Sequence, residues 1–144
     1  MNCSKEFIVA YNKMFKFIDQ HKGEQHVIEF WELLSDLVCQ RLVKMAKEGG
    51  ISGLARYWIE SLSEEGADCE IVYSSRKDVL TIEMMECPAY EKMAEANEVP
   101  YENYCGHCQV MYSRALKPLG ITFKCTCCKQ SQGRCFIEVY RSHG

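Results

Sequence analysis

Long apolar runs are missing from this sequence of 144 residues. No stretch approaches the roughly 18 apolar residues that a membrane-spanning helix requires, and the amphipathic start MNCSKEFIVAYNKMF lacks the unbroken apolar core of a signal peptide. A large charge is missing too, because the net charge is only −3 whereas nucleic-acid binders usually carry a basic surplus. We therefore expect a cytoplasmic protein that has no membrane partner and no nucleic-acid partner.

The charges are nevertheless unevenly distributed along the chain. Between Glu60 and Glu102 twelve acidic residues accompany three basic ones, whereas between Arg114 and Arg141 six basic residues accompany one acidic residue. Two solvated faces would produce this pattern, and so would a C-terminal end that attracts a small anion. A small anionic ligand is therefore a possible partner, and the sequence does not indicate an oligomeric state.

Signature motifs of the common enzyme classes are absent as well. The sequence contains no phosphate-binding glycine loop, no nucleophile elbow and no His-Glu zinc helix. It also contains no repeat, no low-complexity stretch and no linker. The length predicts a single domain over residues 1–144, with a helical half (1–66) and a cysteine-rich α+β half (67–144).

Apolar residues that recur every three to four positions predict helices in the first half. The first run ends at HKG (21–23), the second at KEGG (47–50) and a shorter third run at EEGAD (64–68). Glycine at or just after each end is typical of helix termination. We therefore predict three N-terminal helices whose aromatic residues pack in the core.

The apolar period changes to two in the second half. The segments CEIVYSS and DVLTIEMMEC predict a hairpin, and ITFKCTC and RCFIEVY predict a second one. Between them, Pro88 is suited to the first turn of a helix, and a further helix is predicted from about Cys105 to Leu116. This order predicts the α+β class: three helices, then an antiparallel sheet of two hairpins with two intervening helices, packed on one side of the sheet.

Cysteine is the residue type that the sequence has in excess, with ten copies. In a reducing compartment these are better explained as thiols, metal ligands or redox centres than as structural disulfides. The motif CGHC (105–108) has the spacing of thiol oxidoreductases, in which a cysteine at a helix N-terminus becomes a reactive thiolate. Those enzymes place the motif after a strand, whereas VPYENY precedes it here, so disulfide exchange is the less favoured interpretation.

A second Cys-x-x-Cys pair favours a metal site. Sixteen residues separate Cys108 from Cys125, a spacing that is typical of four-cysteine zinc sites. Four thiolates can hold either zinc or an iron–sulfur cluster. The predicted metal ligands are Cys105, Cys108, Cys125 and Cys128. Cys127 can replace a neighbour in this set, Cys87 and Cys135 are further candidates, and reduced thiols packed without metal are the alternative.

Three segments of the second half resemble a known family. ECPAYEKMAEAN contains a Cys-Pro step that ends a strand and opens a helix, YCGHCQVMYSRAL is a cysteine-bearing helix, and GRCFIEVY is a final strand with a Gly-x-Cys-aromatic start. Over about residues 69–141 the chain resembles the L-2-amino-thiazoline-4-carboxylate hydrolase-like proteins. More distantly, it is similar to the 4-vinyl reductase ligand-binding domain.

The first resemblance implies a hydrolase that opens a small sulfur-containing ring bearing a carboxylate. The candidate catalytic residues are Cys105, Cys108, His107 and Cys87. The thiols would act as the nucleophile or support a metal-bound hydroxide, and the histidine would carry protons. The candidate residues for gripping the substrate carboxylate are Arg114 and Arg134. The more distant resemblance implies instead a non-catalytic module that binds a ligand or senses redox state or metal.

Overall fold

A computed structural model describes residues 5–127 and 133–143 of the chain. Within these residues the fold is α+β, as predicted. In chain order the elements are α1 (Lys5–Lys22), α2 (Glu24–Val38), α3 (Gln40–Glu64), β1 (Asp68–Ser74), β2 (Val79–Glu86), α4 (Pro88–Glu95), α5 (Gly106–Leu116), a 3₁₀ turn (Lys117–Leu119), β3 (Ile121–Cys127) and β4 (Cys135–Arg141). No helix in the described part of the chain is long and apolar enough to cross a membrane.

The helical half differs from the predicted boundaries at two places. The predicted second helix is interrupted at Cys39, which has φ −95° and ψ 18° and separates α2 from α3. The chain then remains helical through the KEGG segment, where Gly50 adopts φ 61° and ψ −143°. Glycine tolerates this positive φ because it has no Cβ. The predicted helix end is therefore a kink inside α3, and the predicted third helix is the C-terminal part of α3.

The four described strands form one antiparallel sheet in the order β1-β2-β4-β3. Each predicted hairpin is present, and pairing of β2 with β4 joins the two hairpins. Alternate residues of β2, namely Leu80, Ile82 and Met84, are buried on the face that carries the helices. We call this the inner face, and residues opposite those three in the register share it.

Helix α5 lies between the N-terminal helices and the sheet. One described apolar cluster joins α3 to the inner face, and a second joins α1 and α2 to α4 and to Tyr101 and Tyr104. Met111 of α5 packs against both clusters, and α5 contacts both α2 and β3. This position brings the start of α5, with its CGHC motif, to the inner face of the sheet.

Asn12 fixes the segment that leads into α5. Its side chain is fully buried, and its Oδ1 accepts the N–H of Tyr101 at 2.6 Å. Its Nδ2 donates to the Glu98 carboxylate at 2.7 Å and to the Val99 carbonyl at 2.8 Å. Buried polar groups require such partners. The side-chain amide of Asn12 on α1 therefore anchors the connection between α4 and α5. Tyr101, which it binds, is four residues before Cys105.

Candidate thiol site

Six thiols of the described residues lie together where α4, α5, β3 and β4 meet. Cys108 alone interacts electrostatically with four of the other five. The members of this thiol cluster are Cys87, Cys105, Cys108, Cys125, Cys127 and Cys135. The two remaining described cysteines, Cys39 and Cys69, belong to the N-terminal helices and to β1. The fold therefore gathers cysteines that are far apart in the sequence.

The strands supply three of these thiols on one face of the sheet. Cys125 and Cys127 are two residues apart in β3, so both point to the inner face, and their sulfur atoms are 3.8 Å apart. Cys127 lies directly opposite Cys135 in the register of β3 and β4. The side chain of Cys125 also interacts with that of Cys135. The three strand thiols therefore form a contiguous group.

The start of α5 adds Cys105 to this group. Cys105 immediately precedes the first residue of the helix, where the helix dipole is positive. Its Sγ is 3.2 Å from the hydroxyl oxygen of Tyr90, and its side chain also interacts with that of Cys127. Burial and the contact with Cys105 raise the pKa of the Tyr90 phenol. The phenol therefore keeps its proton and can donate it to the sulfur in a hydrogen bond.

Cys87 joins the cluster from the start of α4. Its N–H donates to the carbonyl of Gly133 at 2.8 Å. Gly133 has φ 89°, a conformation that side chains rarely adopt, and it packs against Cys87, whose nitrogen would be 3.4 Å from a Cβ at this position. Burial raises the pKa of the Cys87 thiol to about 11, although the N–H groups of Ala89 and Tyr90 oppose the shift. The Cys-Pro and Gly-x-Cys segments are therefore in direct contact.

His107 and Cys108 form a pair of neutral groups. The Nδ1 of His107 is hydrogen-bonded to the carbonyl of Tyr104, and because a carbonyl only accepts, Nδ1 carries the hydrogen. Nε2 is then free to accept a proton, and it lies 3.7 Å from the sulfur of Cys108. Burial lowers the pKa of His107 and raises the pKa of Cys108. Both shifts favour the neutral forms, and the proton-carrying role of His107 stays a prediction.

The thiols of the cluster differ in their electrostatics. Burial raises the pKa of Cys127 to about 12, and a hydrogen bond donated to Cys135, together with burial, raises the pKa of Cys125. Cys135 behaves in the opposite way, because the hydrogen bond that it accepts from Cys125 lowers its pKa despite burial. The interaction between Cys125 and Cys135 therefore shifts their two pKa values in opposite directions.

A surface pocket of about 280 Å³ lies next to the strand thiols, mainly on the opposite face of the sheet, where Glu83, Phe136 and Thr126 are neighbours in the register. The residues that line it are Glu83, Met84, Thr126, Cys127, Arg134, Cys135 and Phe136. Arg134 is exposed at this pocket, so it remains available to a carboxylate or another small anion. The other predicted arginine, Arg114, binds both carboxylate oxygens of Asp36 at 2.9 and 3.1 Å and Glu32 at 3.0 Å. Arg114 therefore links α5 to α2, and Arg134 is the better candidate for binding an anion.

The predicted metal ligands are partly brought together. Cys105, Cys108 and Cys125 belong to the thiol cluster, whereas Cys128 lies outside the described residues. Within residues 5–127 and 133–143, no three His, Cys, Asp or Glu side chains are arranged to hold a metal ion. The described thiols therefore do not form a complete metal site by themselves, and the zinc or iron–sulfur centre stays a prediction.

Two residues of the site lie outside the predicted set of four metal ligands and the predicted catalytic residues. Cys135 was only a further candidate ligand, although the alternation in RCFIEVY places it on one face with Ile137 and Val139 and antiparallel pairing then sets it opposite Cys127. Tyr90 had no signal, because its contact with Cys105 spans the connection between α4 and α5. No protein-family model matches the chain, and no curated protein is significantly similar to it.

Proposed function

We propose that this protein is a redox-responsive module whose thiol cluster converts reversibly between thiols and disulfides. The observation that carries the proposal is the position of Cys127 directly opposite Cys135 on adjacent antiparallel strands. Residues in such positions have Cα atoms about 4.5–5.5 Å apart, and disulfides need about 4.4–6.8 Å. A bond between these two sulfur atoms therefore needs side-chain rotation and at most a small movement of the backbone.

The other thiols support exchange around this pair. The sulfur of Cys125 is 3.8 Å from that of Cys127, and its side chain interacts with that of Cys135. The side chain of Cys105 interacts with that of Cys127. A thiol that contacts a disulfide can attack it through a mixed disulfide. The cluster can therefore pass a disulfide from one pair to another, and a thiol reductant can restore it.

A thiol count tests this function. The reduced full-length protein is treated with hydrogen peroxide, and each disulfide formed consumes two thiols and one peroxide and releases two waters. Alkylation followed by mass spectrometry should show thiols lost in pairs and recovered after dithiothreitol. Cys69→Ser is the matched control, since the electrostatic neighbour of Cys69 is Asp68 rather than another thiol, and it should lose the same number. An unchanged thiol count, or a loss that dithiothreitol does not reverse, would contradict the proposal.

A metal–thiolate centre is the second candidate, and one distance favours it. Zinc binds thiolates at about 2.3 Å, so two sulfur ligands of a tetrahedral site are about 3.8 Å apart. The sulfur atoms of Cys125 and Cys127 have this separation. Soft thiolate ligands suit zinc, iron–sulfur clusters and copper(I). Anaerobic purification followed by metal analysis should find stoichiometric zinc, or iron with absorption near 400 nm, and a metal-free protein would exclude this candidate.

The hydrolase activity that the resemblance implies stays a prediction. Its candidate nucleophiles Cys87 and Cys108 have raised pKa values because they are buried, which disfavours the thiolate that such an attack needs. Incubation with a 2-amino-thiazoline carboxylate, followed by detection of the ring-opened thiol product, tests it directly. An activity that survives Cys105→Ser and His107→Ala would exclude the predicted catalytic roles of these two residues.

A further inference from the structure

We infer that the exposed edge of strand β1 is a binding site for an extended, basic segment of another protein, which joins the sheet as an additional strand. This inference is independent of the thiol cluster. It rests on the difference between the two edges of the sheet, on the direction of the β1 backbone groups, and on two carboxylates of the outer face, which is the sheet face opposite the inner one.

Helix α5 closes the β3 edge of the sheet. The side chain of Gln109 donates to the carbonyl of Phe123 at 2.9 Å and accepts the N–H of Cys125 at 2.7 Å. The side-chain amide therefore takes the place of one peptide group of a neighbouring strand. Ser113 also donates to the carbonyl of Phe123, at 3.2 Å. Because these backbone groups already have partners, another strand cannot pair with this part of the edge.

Strand β1 forms the other edge, and it is much less covered. Its inward-facing residues Cys69, Ile71 and Tyr73 are half-buried, whereas Ile121 and Phe123 of β3, which α5 covers, are only 3% and 2% exposed. In the described part of the chain, β1 pairs with β2 alone. It also contains neither the proline nor the lysine by which many edge strands prevent pairing. The β1 edge is therefore open to an additional strand.

The register shows which backbone groups of β1 point away from the sheet. Alternate residues of a strand in an antiparallel sheet direct their N–H and C=O groups to opposite sides. Cys125 directs its N–H to Gln109 and thus away from β4. The register connects Cys125 through Ile137 and Ile82 to Ile71. When the alternation is followed across these four strands, Ile71 and the residues two positions before and after it direct their N–H and C=O groups to the free edge.

Two carboxylates on the outer face indicate the charge of the partner. Glu70 of β1 is directly opposite Glu83 of β2, and both residues are exposed. Like charges in this arrangement destabilise a sheet, and no described residue forms an ion pair with either carboxylate. A lysine or arginine beside Glu70 on an added strand would offset this repulsion. The edge is therefore suited to a basic segment.

The same carboxylates disfavour a second copy of this chain at the edge. Pairing of β1 with β1 of another molecule would bring a second set of Glu70 and Glu83 onto the same outer face, and each chain has a net charge of −3. Such repulsion rejects a wrong partner while an opposite charge is accepted. On the inner face the added strand would lie beside Ile71 and Tyr73, where apolar side chains are favoured. The expected partner segment therefore alternates basic and apolar residues.

A short peptide tests the proposed edge. The probe is acetyl-KVKVKVK-amide, which presents the same alternation in both chain directions. Its control is acetyl-KVKPKVK-amide, because proline interrupts strand pairing. Isothermal calorimetry on the full-length protein should show saturable binding of the first peptide alone, and this binding should weaken with salt. Amide hydrogen exchange of Cys69, Ile71 and Tyr73 should become at least severalfold slower in the complex.

Charge reversal at Glu70 tests the selectivity. Glu70→Lys should weaken binding of acetyl-KVKVKVK-amide roughly tenfold and should instead bind acetyl-EVEVEVE-amide. Glu29→Lys makes the same change at an exposed position of α2 and should leave both affinities unchanged within about twofold. Circular dichroism establishes that each variant is folded. Glu70→Gln, which should weaken binding about threefold, replaces Glu70→Lys should the latter fail to fold.

Several results would overturn the inference. They are no binding of acetyl-KVKVKVK-amide, equal binding of the proline peptide, an affinity that Glu70→Lys and Glu29→Lys reduce equally, and slower exchange in β3 in place of β1. Self-association of the protein alone that protects the same three β1 amides would show that a second copy occupies the edge, and it would overturn the inference as well. None of these results changes the thiol count that tests the redox function.

Discussion

Replacement of Asn12 by leucine should destabilise the protein far more than a single surface contact would. The change leaves the N–H of Tyr101 and the carbonyl of Val99 without the partners that they have at 2.6 and 2.8 Å. An unsatisfied buried group costs about 1–3 kcal/mol. Tyr101 is buried, whereas Val99 is exposed and its carbonyl can bind water, so the expected loss is roughly 3 kcal/mol. A typical domain has only about 5–15 kcal/mol of total stability. Glu98 adds little to this cost because Lys13 and Lys16 still pair with it.

Urea denaturation measures this loss directly. Trp31 reports on the affected region, since its ring centroid is 6.4 Å from that of Tyr101. The matched control is Lys13→Met, which removes an exposed partner of the same Glu98 carboxylate and should cost less than about 1 kcal/mol. Because Tyr101 leads into α5, Asn12→Leu should also speed the alkylation of Cys105. An Asn12→Leu protein as stable as the Lys13→Met control would refute this account of the buried amide.

Three further predictions concern the site. His107→Gln should flatten the dependence of stability on pH. Burial lowers the pKa of His107 in the folded state, so the unfolded state binds more protons below about pH 6.5. Wild-type stability should therefore fall as the pH drops from about 6.5 through the folded-state pKa. Urea midpoints between pH 5 and 7.5 measure this slope, and equal slopes in both proteins would contradict the assignment. Tyr90→Phe keeps the ring packed against Tyr104 at 5.6 Å but removes the hydroxyl at Cys105, and it should slow iodoacetamide labelling of Cys105 severalfold while labelling of Cys69 stays constant. Oxidation that joins Cys127 to Cys135 closes a loop of about nine residues and should stabilise the fold by about 2.5 kcal/mol, visible as a higher urea midpoint that dithiothreitol reverses.

Local patterns predicted most of the second half. Alternating apolar residues in CEIVYSS and RCFIEVY fixed which side chains share the inner face, because a strand has a period of two. Pro88 marked the start of α4, and the helix predicted from about Cys105 to Leu116 is α5. The same alternation placed Cys125 and Cys127 on one face, which is the geometric basis of the thiol cluster.

The remaining features depend on contacts between distant parts of the chain. The apolar stripe of the N-terminal half continues through Cys39 without a helix-breaking residue, so the interruption there had no local signal. Arg114 binds Asp36, which is 78 positions away in the sequence. The sequence alone therefore could not show that Arg114 is engaged in an ion pair whereas Arg134 is exposed at the pocket. Tyr90 reaches Cys105 only because α4 and α5 converge.

The hydrogen bond between the N–H of Cys87 and the carbonyl of Gly133 has a mechanical consequence. It ties the junction of β2 and α4 to a residue only two positions before Cys135. Any shift of the β4 start that accompanies disulfide formation is thus transmitted to the first turn of α4, and from there to the α1 surface that packs on it. The chemical state of a thiol at one end of the sheet thereby acquires a path to a helical surface on which another molecule could read it.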